Sequence, residues 1–119
     1  MAFDGRSVYQ RSDRINHARL RDFRAYLKTR PGNVLASMVA SDQVFRSHPG
    51  AAYAEAWALS FFLRETQPQS YSRYLARVAA RKPFTTYPAQ ARLVDFMSVF
   101  GKDLELLDSQ LVRFVAELK

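Results

Sequence analysis

Cysteine is absent from this 119-residue chain, which rules out disulfides, thiolate metal sites and a cysteine nucleophile. That absence fits any compartment and says nothing of location. Histidine is scarce: His17 and His48 lie far apart, and neither belongs to a His-x-x-x-His pair. A zinc-peptidase helix needs two imidazoles one turn apart beside a general-base Glu, so the chain holds no such helix and no metal site of its own. Both histidines read as surface or loop residues. The four glycines (Gly5, Gly32, Gly50, Gly101) fall at element boundaries and build no phosphate-cradling loop. No serine sits in a nucleophile elbow, and Met1-Ala-Phe-Asp-Gly-Arg6 has no apolar run of signal-peptide length. No segment alternates with strand period.

What the chain does have is apolar and basic. A hydrophobic fraction of 48% and an aromatic fraction of 13% describe a folded globule with one modest core. The net charge is +7, and residues 1–30 carry eight Arg or Lys against three Asp, which places +5 in the first quarter. Such a segment suits nucleic acid, an anionic membrane, an acidic partner or a solvated helix face.

The longest apolar stretch is Ala51 to Leu63, interrupted only by Glu55. It is too long for an ordinary strand, and rich in Ala and Leu, so it reads as a helix. Apolar on every side, it belongs inside the protein. A membrane span needs about 20 apolar residues without such a charge, so no transmembrane segment is expected. Before it, residues 1–13 read as an irregular lead-in, and Asp13 or Asn16 can cap a first helix carrying Ile15, Leu20, Phe23 and Leu27. Pro31-Gly32 ends that helix. Asn33 caps a short one with Leu35, Met38 and Val39 inward, Asp42 starts a turn, and His48-Pro49-Gly50 makes a break. Pro68 ends the central helix. Ser70 then caps a helix with Tyr71, Tyr74, Leu75 and Val78 on one face and the row Arg73, Arg77, Arg81 on the other. Pro83 and Pro88 bracket a loop, a helix runs from Ala89 to Phe100 and stops at Gly101, and Asp103 caps the last. The expected architecture is all-α: a compact bundle of five to six helices around a buried central helix at about residues 51–65, with residues 14–119 as one helical domain.

The pattern Tyr53-x-x-x-Trp57-Ala58-Leu59-x-Phe61-Phe62-Leu63, followed by Tyr71-x-Arg73-Tyr74-Leu75, resembles the C-terminal helical part of uncharacterised bacterial gluzincin-type metallopeptidases. Arg14-Ile15-Asn16-x-x-Arg19-Leu20 and Phe100-Gly101-Lys102-Asp103-Leu104-Glu105-x-Leu107-Asp108 are similar to that family's entry into this part and its run into the last helix. The resemblance spans residues 11–118. It implies that zinc is held by a His-Glu-x-x-His helix and a further Glu upstream of this chain, so the chain carries no cofactor and is not catalytic alone. It further implies that relatives of full length are often exported.

The resemblance also implies two site residues. Tyr53 matches a helix-start tyrosine whose hydroxyl stabilises the oxyanion of a tetrahedral intermediate, although Ala54, Glu55 and Ala56 replace that family's Glu, Lys and Gly. A phenol there suits developing negative charge; as a structural residue, Tyr53 would be a core aromatic with a backbone partner. Trp57, one turn on, reads either as a packing anchor or as a substrate-binding wall beside Tyr53. Two functions follow. In one, the chain is a wall of a peptidase cleft, partnered by a missing N-terminal metal-binding half and a peptide substrate. In the other, it is a freestanding basic helical module that binds nucleic acid or an acidic protein partner.

Overall fold

The computed structural model describes residues 11–32, 34–81 and 86–118, so the expectations for residues 1–10, for the cap at Asn33 and for the first half of the Pro83 loop lie outside the described residues. Those residues form eight helices and no strand: α1 (Arg11–Arg14), α2 (His17–Tyr26), α3 (Val34–Ala40), α4 (Gln43–Ser47), α5 (Pro49–Thr66), α6 (Pro68–Ala79), α7 (Ala89–Phe100) and α8 (Leu104–Ala116). The architecture is all-α. The two short turns α1 and α4 account for the excess over five or six, and α1 occupies part of the stretch expected to be irregular.

Local chemistry explains most boundaries. Asn16 caps α2, its side chain accepting the backbone N–H of Arg19 at 3.1 Å, and Asp103 caps α8 by accepting that of Leu106 at 3.0 Å. Gly101 closes α7 with φ +99° and ψ 163°, a conformation that only glycine adopts without strain. Two expectations are corrected. Pro49-Gly50 is not a break but the first turn of α5, and Pro68, not Ser70, opens α6. Proline at the first helical position has no N–H to lose and already has helical φ. Ser70 sits inside α6, where its hydroxyl accepts from Arg73 at 3.1 Å.

α5 is the centre of the bundle and packs against α2, α4, α6 and α8. Ala52, Ala54, Ala58, Phe61, Phe62 and Leu63 are buried on it. All but Ala52 share one core with Leu20 and Phe23 of α2, Leu35 and Val39 of α3, Phe96 of α7, and Leu107, Leu111 and Val115 of α8. The short alanines let neighbouring helices approach closely while the phenylalanines fill the space between them. Arg24 donates to the carbonyls of Val115 and Leu118, tying α2 to the C-terminal end of α8. Among the described residues, no helix is long and apolar enough to cross a membrane.

Candidate functional site

The central helix is not enclosed on all sides. Tyr53 is 53% exposed, and Ser60 and Arg64, seven and eleven residues on, are exposed on the same stripe. This corrects the expectation of a helix buried all round. The polar residues at those two spacings were the sequence signal for an open stripe.

Tyr53 is nonetheless held. Its ring meets Phe45 of α4 edge-on, with centroids 5.2 Å apart, and the Arg19 guanidinium lies 5.4 Å from its centroid. Among the described residues its hydroxyl makes no hydrogen bond. Trp57, half-buried, stacks on Phe61 at 5.2 Å, and the Arg64 guanidinium lies 5.7 Å from the Phe61 centroid. Tyr53 and Trp57 therefore share a face, with an arginine at each end. Arg19 and Phe45, which pin Tyr53, carried no local signal because they come from other helices.

A shallow apolar groove of about 240 Å³ adjoins this face. Phe45, whose ring meets Tyr53, borders it; Ala56 and Ser60 of α5 form one side, and Tyr71 and Leu75 of α6 the other. A larger cavity of about 460 Å³ lies between Tyr26, Pro31, Val34 and His48. Neither Tyr53 nor Trp57 lines either hollow.

Two buried carboxylates elsewhere are committed to the fold. Glu55 is fully buried, and Arg30 grips it with Nε–Oε1 2.7 Å and Nη2–Oε2 2.8 Å. The same guanidinium reaches Asp108, with Nη1–Oδ2 3.0 Å. Burial opposes the charge on Arg30, but its hydrogen bonds to Glu55 and Asp108 prevail and raise its pKa. Burial, and then the Glu55 charge, push the nearby Tyr26 phenol up. Asp95, buried on α7, receives the Tyr87 hydroxyl at 2.5 Å, Arg77 Nε at 3.1 Å and the Arg81 guanidinium. The hydrogen bond from Tyr87, then that from Arg81, hold this carboxyl below the usual range despite burial. Two arginines of the row Arg73, Arg77, Arg81 are thus engaged with Asp95. His17 and His48 are exposed, and no three His, Asp or Glu side chains among the described residues converge in a way that could hold a metal ion.

No curated protein and no solved structure matches the chain. The family described as "Protein of unknown function (DUF1570)" matches residues 2–85, which cover most of the chain, including the central helix and its open stripe, and the chain belongs to that family.

Proposed function

We propose that the chain is the C-terminal helical subdomain of a gluzincin-like peptidase, forming one wall of the active-site cleft and depending on an upstream half for metal and hydrolysis. The observation that carries this reading is Tyr53. It is exposed on the open stripe of the central helix, its ring is fixed by Phe45 and Arg19, and its hydroxyl has no hydrogen-bond partner among the described residues. A held phenol with a free O–H is a preorganised donor. It can bind the oxygen of a peptide carbonyl as that oxygen gains negative charge, without reorganising during the reaction. Trp57 on the same face supplies a wall for substrate, and the apolar groove beyond Phe45 offers room for a neighbouring side chain. The all-α domain, taken here as residues 14–119, is the rigid support that holds these groups in place.

The nucleic-acid reading gains less support. Arg77 and Arg81, which would give a phosphate-binding row, already bond to Asp95.

The test starts with the native polypeptide. An immunoblot from source cells should show a band well above 13.7 kDa, and the upstream region should contain His-Glu-x-x-His. In that longer protein Tyr53→Phe should lower kcat by about 10²–10³-fold, as loss of an oxyanion donor does, with little change in KM. A native band at 13.7 kDa, or full activity in Tyr53→Phe, would overturn the reading.

A further inference from the structure

Three arginines of the described residues are withdrawn in part from solvent: Arg19, Arg30 and Arg92. Arg30 is neutralised by Glu55 and Asp108, and Arg92 bonds Asp42 at 3.1 Å. Among the described residues Arg19 has no carboxylate partner. Asp22, one turn further along α2, forms no ion pair with it, and the Arg19 guanidinium rests on the Tyr53 ring. A partly withdrawn cation with no counter-ion among the described residues is open to an incoming anion. Its position is fixed from both ends: the Asn16 cap holds its backbone N–H, and Tyr53 holds the guanidinium. It lies in the first turn of the ten-residue helix α2, whose dipole adds to the positive potential. The planar fork of arginine binds a carboxylate through two parallel hydrogen bonds.

We propose that Arg19 is the anchor for a peptide carboxylate beside Tyr53, so that the face formed by Tyr53 and Trp57 selects peptides bearing an acidic side chain or a free C-terminus next to the bound segment. That the ligand is a peptide rests on the function proposed above; the anion site itself rests on Arg19. In this arrangement Arg19 sets specificity, the Tyr53 ring positions it, and the Tyr53 hydroxyl stays free.

Trp57 is the single tryptophan of the chain and lies one turn from Tyr53, so its fluorescence reports binding directly. The 119-residue chain is titrated at low salt with an acetylated, amidated pentapeptide containing a central glutamate. The comparison probes are its glutamine counterpart, the glutamine peptide with a free C-terminal carboxylate, and inorganic phosphate. The glutamate peptide, the free-acid peptide or both should give a saturable change, and whichever does identifies the source of the carboxylate. The neutral peptide should bind about tenfold or more weakly, the worth of one charge-assisted contact. Arg19→Met should remove that advantage, while Arg21→Met, an equal charge change at an exposed site on α2, should leave affinity within about twofold. If Arg19→Met loses its helical circular dichroism, Arg19→Gln is read in its place. The proposal is overturned by equal binding of neutral and acidic peptides, by equal losses in Arg19→Met and Arg21→Met, by phosphate binding more tightly than either carboxylate peptide, or by no saturable change. Hydrolysis is not measured here, so this result and that of Tyr53→Phe can fail independently.

Discussion

Among the described residues two carboxylates, Glu55 and Asp95, are buried, and arginine meets both in different ways. At Glu55 the arginine is buried as well: the Arg30 side chain is 5% exposed, inserted between two acids and lying 5.7 Å from the Phe23 centroid. At Asp95 the arginines stay in water, with Arg77 52% and Arg81 38% exposed, and only the acid is withdrawn. The first node links the segment after α2 to the central helix and to α8. The second links α6, α7 and the residue Tyr87 before it. A closed node cannot exchange its partners for water, so it acts all or nothing. An open one can be weakened by degrees, by salt, pH or loss of a single arm.

The largest effect should therefore come from Arg30→Met, which leaves Glu55 with no counter-ion in the core. We expect a loss of about 3–5 kcal/mol in urea unfolding, the usual consequence of removing one side of a buried pair. Arg30→Met combined with Glu55→Met should recover more than half of it, because the stranded charge goes and Asp108, at the edge of the node, can reach solvent. Failure of the double variant to recover would mean that the triad contributes geometry that apolar packing cannot replace.

This contrast also shows what could be read from the chain. Helix α7 and its stop at Gly101, the Asp103 cap and the inward Leu35, Met38 and Val39 are all local: neighbouring residues determine them, and their spacing reveals them. Glu55 was visible as a carboxylate in an apolar run, but its partner lies 25 positions before it and the third member 53 positions after. No periodicity links residues so far apart, and Arg30 looked like one more member of a basic stretch. Tyr53 was legible as a candidate, read either as an oxyanion donor or as a core aromatic. Ser60 and Arg64 marked its stripe, but the strength of the apolar run around them masked that signal.

An intermediate effect is expected at the open node. Asp95→Asn keeps shape and loses charge, and should cost about 1–3 kcal/mol at neutral pH. Its sign with pH follows from the depressed carboxyl. The folded value lies below the unfolded one of about 3.9, so the contribution is complete above the unfolded value and disappears as pH falls through the folded one. Glu65, held down chiefly by its hydrogen bond from Arg14, behaves in the same way. Wild-type stability should thus decline as the solution is acidified from about pH 5 to pH 2, and Asp95→Asn should show a shallower decline over that window. Parallel curves for the two proteins would show that Asp95 does not carry the acid sensitivity.

The smallest effect separates the arms of the open node from one another. Arg77 gives Asp95 one hydrogen bond from a largely solvated side chain, whereas Arg81 bonds the same acid through two nitrogens and lies 4.2 Å from the Tyr87 centroid. Arg77→Ala should cost less than about 1 kcal/mol, as exposed pairs do, and Arg81→Ala more, because the Tyr87 ring loses the nearer of its two cations as Asp95 loses a partner. Salt sharpens the distinction. At about 1 M NaCl the screening length shrinks to about 3 Å, so the Arg77 contribution should vanish while the cost of Arg30→Met stays close to its low-salt value. Equal salt dependence at the two arginines would mean that water reaches Glu55 as readily as Asp95, and the distinction between a closed and an open node would fail.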